Sequence, residues 1–306
     1  MRISRNYYIS GFIFLIIILI VVSFLNGFSN NFLGRASQKF LRIVKKPVPV
    51  TVVYQPEETI KILEGWTNQD IVEYLVERGQ GTNEELFLQI GKGLVDDKNN
   101  PSQALSVDWV AKFSFLADKP KEASLEGYLF PDTYRIFAST TPEAIIQKML
   151  ENFEAKLNRE MRAEIKRQGK TIYEILTLAS IVEKEAPIYN NDVTDNYDAR
   201  FIAGIFWDRL KIGQALQSDA TLSYLLQDNN PRHSGADLEI DSPYNTYEYR
   251  GLPPGPICNP GLAAIQAAIY PLYTEYNYFL TPTDTRTVIY ARTYADHLVN
   301  KNKYLK

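Results

Sequence analysis

TIYEILTLASIVEKEA, residues Thr171–Ala186, opens with a helix cap, stays apolar through its middle and ends on two acids. Thr171 and Glu174 stand at capping-box spacing, in which the hydroxyl takes a free amide and the glutamate reaches back to the cap residue. Pro187 has no amide hydrogen and terminates the run. Ile175, Leu176, Leu178, Ala179, Ile181 and Val182 leave almost no polar face, so this helix is expected to be buried on most sides. Glu183 and Glu185 then lie at the edge of the core, where partial loss of hydration raises a carboxyl pKa. The helix dipole disfavours negative charge at this end and pushes the same way. A carboxylic acid kept protonated near neutral pH is what a glycosidic leaving oxygen needs. The two acids are about 200° apart around the helix, so one site can use only one of them. A plainer reading is open locally: two solvated acids flanking Lys184 at a fraying helix end.

Outward from this helix, the pattern is mostly helical. A helix starting near Asp195 turns Ile202, Ile205, Phe206 and Leu210 inward and stops at Gly213. LQSDATLSY (Leu216–Tyr224) then supplies Gln217, Ser218, Asp219 and Thr221, although helix capping alone accounts for Ser218 or Asp219. Residues 241–261, DSPYNTYEYRGLPPGPICNPG, hold too much proline and glycine for a regular element, and carry Asn245, Thr246 and Tyr247. Irregular segments of that length in compact domains are often functional. Gly261–Tyr270 reads as a helix, Tyr276–Leu280 and Thr287–Ala291 as paired strands, and a last helix starts at Thr293.

Upstream, Thr141 and Pro142 open a long charged helix or pair of helices ending at Gly169, with Ile145, Ile146, Met149, Leu150, Phe153 and Leu157 inward. LEGYLFPDTYRI (Leu125–Ile136) sets Glu126, Asp132 and Tyr134 among aromatics, as a cleft wall or as a turn between two strands. Earlier still come a strand at Thr59–Leu63 and helices capped by Thr67 with Asp70 and by Thr82 with Glu85. Clustered helices with a few separate strands indicate an α+β fold.

Composition narrows the function. The 306 residues are 45% hydrophobic and 23% charged, enough for one large domain or two modest ones and too apolar for bulk disorder. A net charge of −3 argues against nucleic acid as a partner. One cysteine, Cys258, excludes an intramolecular disulfide, and with only two histidines it leaves too few ligands for a structural zinc site. The sequence has no P-loop, G-x-G-x-x-G, nucleophile elbow or H-E-x-x-H motif, so no cofactor or metal is expected. Twenty tyrosines, 15 phenylalanines and three tryptophans suit cores and sugar-stacking clefts alike.

Ile9–Phe28 contains no charged residue and is long enough to cross a hydrocarbon layer as a helix. It exceeds the usual apolar centre of a cleaved signal peptide and is followed by no A-x-A-like site, so it is read as an uncleaved anchor. The expected organisation is a tail at 1–8, the anchor at 9–28, a basic stalk at 29–56, a small βαα module with linker at 57–120, and a larger domain at 121–306. Arg35, Lys39, Arg42, Lys45 and Lys46 follow the anchor, and by the positive-inside rule they favour a cytoplasmic C-terminal flank.

Four stretches in order, LEGYLFPDTY, LASIVEKEA, FIAGIFWDRLKIGQALQSDATLSY and SPYNTYEYRGLPPGPICNPGLAAIQAAIYP, closely resemble the YceG-like family of endolytic murein transglycosylases. The resemblance runs from about residue 59 to the C-terminus. It implies a membrane-anchored enzyme with a partial LysM-like module and a catalytic domain bearing a glycan-binding cleft on the outer, wall-facing side of the cytoplasmic membrane, against the charge rule. It further implies cleavage of the β-1,4 bond between N-acetylmuramic acid and N-acetylglucosamine in nascent peptidoglycan, leaving 1,6-anhydro ends and stopping strand elongation. Cell-wall synthases would be neighbours. The family's catalytic glutamate falls in I-V-E-K-E and aligns with Glu185, with Glu183 as the alternative. Glu126, Asp132, Tyr134, Gln217, Ser218, Asp219, Thr221, Asn245 and Tyr247 are the candidate substrate-binding residues. Two other outcomes stay open: a wall-binding scaffold without turnover, and a hydrolytic muramidase that pairs Glu185 with Asp219 or Asp132. The family's fuller N-terminal region is shortened here, and its C-terminal G-x-H-x-F-like stretch is replaced by TDTRTVIYART. His297 is expected to be a structural hydrogen-bonding residue.

Overall fold

A computed structural model describes residues 56–91, 107–188, 195–228, 233–282 and 287–305. The stretch expected to be an anchor, 9–28, and nearly all of the stalk lie outside these residues. Among the described residues no helix is long and apolar enough to cross a membrane.

The elements in order are β1 (Glu57–Lys61), α1 (Asn68–Glu77), α2 (Asn83–Ile90), the short α3 (Trp109–Lys112), β2 (Thr133–Phe137), α4 (Pro142–Lys156), α5 (Arg159–Arg167), α6 (Ile172–Glu185), α7 (Tyr197–Lys211), α8 (Asp219–Leu226), the single turn α9 (Gly235–Leu238), α10 (Leu262–Ile269), β3 (Tyr278–Leu280), β4 (Ile289–Ala291) and α11 (Tyr294–Tyr304). Both sheets are two-stranded and antiparallel, β1 with β2 and β3 with β4, so the fold is mixed α+β with helices dominant.

The capping chemistry forms as the residues dictate. Thr67 with Asp70, Thr82 with Glu85 and Thr171 with Glu174 each close a reciprocal box, satisfying amides that a helix start leaves free. The charged run after Thr141 is a pair of helices, because the chain breaks at Leu157 and Asn158 caps the second with a bond to the Met161 amide.

Helix α6 is the axis of the core. Its residues from Ile175 to Val182 are all buried, including Thr177 and Ser180. Those hydroxyls turn back onto the helix's own carbonyls, Thr177 to Tyr173 at 2.8 Å and Ser180 to Thr177 at 2.8 Å, so no polar group is stranded. Helices α7 and α10 pack on α6. In α10 the buried Ala263, Ala264, Ala267 and Ala268 allow close approach. At Gly204 of α7 a side chain is impossible: an added Cβ would lie 2.1 Å from the Leu272 carbonyl oxygen. Leu272 in turn donates its amide to the Arg200 carbonyl at 3.0 Å, which fixes the segment after α10 across α7.

The expected boundary near residue 120 does not separate two bodies. Residues 55–306 form one compact unit, and β1, expected in the small module, finds its partner in β2, with Ile60 opposite Tyr134. Alternation buries Ile60 on one strand and Tyr134 and Ile136 on the other, against the same core as α1 and α4. A two-stranded ribbon has only one face to bury, and here that face needs residues from both sides of the expected boundary. Leu125–Pro131 is a tight turn, not a strand.

Candidate active site

The last residue of α6, Glu185, meets the start of α8. Ser218 is the N-cap of α8, but its hydroxyl makes no bond to its own helix; it donates to Glu185 Oε1 at 2.5 Å. The Ala220 amide also points at this carboxyl, so a glutamate from one helix caps the next. Burial is the main cause of a raised Glu185 pKa, and the nearby Asp219 charge adds to it. The Ser218 and Ala220 donors and the positive charge of Arg209 act in the opposite direction. Part of the residue nonetheless reaches solvent.

The loop 241–249 forms the other wall. Thr246, 1% exposed, accepts the Gln217 amide on its carbonyl and the Ser218 amide on its hydroxyl, each at 3.0 Å. This grip holds Gln217 in the left-handed region at φ 52°, uncommon for a residue with a side chain, and leaves that side chain exposed beside Ser218. Tyr247 donates its hydroxyl to Asp219 Oδ1 at 2.7 Å, which engages one oxygen of the carboxylate near Glu185.

Behind these groups lies Arg209 of α7, only 5% exposed. It donates to the Leu216 carbonyl at 2.5 Å and to the Asn277 carbonyl at 2.6 Å and 3.2 Å. Among the described residues no carboxylate forms an ion pair with it.

Glu183 leaves α6 on another face. Its Oε2 accepts the Gly261 amide at 3.0 Å, at the N-cap of α10. Burial, and secondarily the Glu64 charge, raise its pKa to about 7. On the same side Glu126 is 3% exposed and accepts the Asn68 amide at 2.9 Å and the Asn259 side-chain amide at 3.2 Å. Burial raises Glu126 to about 8, so it is neutral at physiological pH. Asn259 ties this cluster together by also donating to the Trp66 carbonyl and accepting the Leu129 amide.

Of the expected substrate-binding residues, Gln217, Ser218, Asp219 and Tyr247 therefore gather around Glu185. The others do not present free groups there. Asn245 is fully buried and donates to the Leu238 and Ile240 carbonyls at 2.9 Å, bracing the loop from inside. Thr221 is fully buried and bonded to Ser218 and Thr246. Glu126 is enclosed by the Asn68 and Asn259 bonds. Tyr134 is buried and hydrogen-bonded to the Phe130 carbonyl and to Asn152. Asp132 also binds Asn152, and it pairs with Lys156 on the α4 side. His297 stacks on Tyr278 with ring centroids 5.4 Å apart, and its buried Nδ1 has no hydrogen-bond partner among the described residues. Arg209 escaped notice because its helical spacing marks only a polar position between inward residues; nothing local signals that it is buried.

The model of the YceG-like family matches residues 35–303. The chain belongs to that family. An endolytic murein transglycosylase of Bacillus subtilis (strain 168) is 38% identical over 182 residues, 59% of this chain and 48% of the relative. One from Streptococcus pneumoniae serotype 2 is 34% identical over 258 residues, 79% of this chain and 44% of the relative. The chain thus spans about half the length of the curated relatives it matches. A crystallised YceG-like protein from Listeria monocytogenes superposes with a TM-score of 0.64 at 32% identity, covering 83% of this chain and 77% of that one. The α+β arrangement is accordingly that of a YceG-like fold.

Within this YceG-like chain, the Glu185 cluster offers one proton-exchanging acid, a hydroxyl able to donate to its anion or accept from its neutral form, and an exposed amide side chain for a polar ligand. No group of three or more metal-ligating side chains is assembled among the described residues.

Proposed function

We propose that this protein is an endolytic peptidoglycan transglycosylase that cleaves the β-1,4 bond between N-acetylmuramic acid and N-acetylglucosamine. Glu185, whose neutral form desolvation favours, donates its proton to the glycosidic oxygen as that bond breaks and positive charge develops at the anomeric carbon. The resulting carboxylate takes the proton of the sugar's own 6-hydroxyl, whose oxygen closes on the anomeric carbon. The products are a free 4-hydroxyl on one strand and a 1,6-anhydro end on the other, and Glu185 is neutral again. Glycosidases that use water generally need a second carboxylate as base or nucleophile. An attacking group already tethered to the substrate removes that need, its proximity replacing a captured water. Ser218 follows the proton, donating to the carboxylate and accepting from the acid. Gln217 and the Tyr247–Asp219 pair orient the sugar.

The observation that carries this reading is the Glu185 carboxyl itself, desolvated and hydrogen-bonded to Ser218 at 2.5 Å, on a residue that is only half-buried. Names given to the relatives supply the substrate class. The apolar run Ile9–Phe28 supports anchoring in the cytoplasmic membrane, and the family resemblance, against the charge count, is what favours residues 57–306 on the outer side, where they would trim new strands beside the synthases. Residues 57–90 supply a strand and two helices, and in this reading they steady the strand as a partial LysM-like module.

Asp219 lies within electrostatic reach of Glu185 and favours one second reading, a muramidase that activates water. Mass spectrometry of uncrosslinked glycan strands incubated with the protein separates the outcomes. Anhydro ends support the transglycosylase, reducing ends the muramidase, and intact strands a binding scaffold.

A further inference from the structure

Resting on the assignment of Glu185 as the proton-transfer residue, a second residue can be placed in its service. We infer that Arg209 is a positioning residue for Glu185: clamped between two carbonyls, its guanidinium fixes the Ser218 segment against the glutamate and holds a permanent positive charge behind it. Three observations support this. The first is the clamp itself, in which Nη1 reaches the Leu216 carbonyl and Nε and Nη2 converge on the Asn277 carbonyl. Leu216 is two residues before Ser218, so the clamp sets where that hydroxyl stands.

The second is the lack of a formal counter-charge. A buried arginine ordinarily has a carboxylate partner, because an isolated charge is costly to desolvate. Arg209 is nine-tenths buried or more and, among the described residues, gives its hydrogen bonds to carbonyls and forms no ion pair, with the rings of Phe206 and Tyr278 5.9 Å and 5.6 Å from its centre. The third is its neighbourhood. The titratable groups in its field are Tyr278, Glu185, Tyr247 and His297, and those in the field of Glu185 are Asp219, Tyr247 and Arg209 itself. Asp219 and Arg209 therefore oppose each other at Glu185, one favouring the neutral acid and the other its carboxylate. An acid that must give up a proton and reclaim it needs both forms accessible, and Arg209 adds its charge to the Ser218 and Ala220 donors in favouring the carboxylate against burial and Asp219. The fork also suits arginine over lysine, since a single ammonium cannot hold two carbonyls in that fixed geometry.

The experiment compares R209M, R209Q and R209K with wild type by two readouts. The first is the pH profile of strand cleavage, which falls on the alkaline side as Glu185 loses its proton. The second is a titration of the Glu185 carboxyl by carbon NMR, assigned with E185Q and independent of turnover. Both charge-free variants are expected to move the Glu185 titration and the alkaline limb upward by about half a pH unit or more and to lower kcat with KM little changed. R209K is expected to keep the limb near its wild-type position and lose thermal stability. R209Q keeps one donor for the Leu216 carbonyl and so complements R209M. An unshifted carboxyl titration in a folded charge-free variant overturns the inference. So does a limb displaced as far by R209K as by R209M, and so does a failure of R209M, R209Q and R209K alike to fold, which would make Arg209 a structural bridge only. If wild type cleaves nothing, the proposed function fails, and the carboxyl titration still decides the role of Arg209.

Discussion

Glu183 and Glu185 leave the same helix two residues apart and both are desolvated, yet Glu183 meets the Gly261 backbone amide while Glu185 meets the Ser218 hydroxyl as well as the Ala220 amide. A backbone amide can only donate. It holds an acceptor in place and joins one element to another, here α6 to α10. A hydroxyl both donates and accepts, so it remains a partner whichever way the proton goes. The Glu183 side extends into Glu126, Asn68 and Asn259, all buried and all mutually bonded. On the Glu185 side, exposed groups, Gln217 and Asp219, stand over buried supports, Thr246 and Arg209. A raised carboxyl pKa is therefore found in two different settings in one molecule: a joint that keeps helices together, and the cluster with exposed neighbours that we propose as the site of proton exchange.

The sharpest way to break this contrast is at the two acids. Glu185→Gln is expected to lower strand cleavage by about 10²–10⁴-fold, and Glu183→Gln, whose amide oxygen can still accept from Gly261, by less than about tenfold. Initial rates of anhydro-end formation check this, and the opposite ranking would exchange the roles of the two faces. Next in size, Asn259→Ala on the joint side is expected to cost about 2–4 kcal/mol in urea unfolding, because it strands the Leu129 amide and weakens the hold on Glu126. The rate per folded molecule should stay within a few-fold of wild type. Ser218→Ala tests the other face. Losing a bond to a charged group is worth about 1.5–3 kcal/mol, which predicts a rate lower by roughly 10–100-fold and an alkaline limb moved to higher pH, with little loss of thermal stability.

The smallest effect separates the joint's own titration from that of the site. Glu126 has a folded pKa of about 8 against 4.5 for the ordinary group. Between those values the folded state keeps a proton that the unfolded chain has released. Its contribution is thus fully present below pH 4.5 and declines as pH rises through about 8. The slope for one proton is at most about 1.4 kcal/mol per pH unit. Glu126→Gln mimics the neutral acid and should flatten that decline, seen as a Tm that changes less with pH across this window. A variant with the wild-type slope would show that Glu126 does not titrate there.

How much of this was visible in the chain depended on the range of the interaction. The capping pairs at Thr67, Thr82 and Thr171, the stop at Gly213 and the irregular run 241–261 all depend on neighbours within a few residues, and all were legible. The strand at Tyr134 was legible too, but its pairing with β1 spans more than seventy residues and joins regions expected to be separate. Within the candidate site, Ser218, Asp219 and Tyr247 stand out in local pattern and Glu185 is singled out from Glu183 only by the family resemblance; all four converge. Asn245 and Thr221 were chosen by the same criterion and are turned inward, because a polar residue in a motif is equally suited to bracing a loop and to contacting a ligand. Arg209 was missed for the converse reason: a lone arginine on an amphipathic helix ordinarily faces water.

By itself the sequence determined the helices and their ends, the burial of Ile175–Val182 and the presence of two acids at the rim of that core, since each follows from hydrogen-bond geometry and apolar spacing along a few turns. Only the tertiary structure decided which acid faces α8 and which faces α10, what donor each one meets and where the unpartnered cation of Arg209 lies. Those depend on which distant segments pack against the two faces of one helix, and a helix presents both faces with nothing in its own residues to say what will cover them.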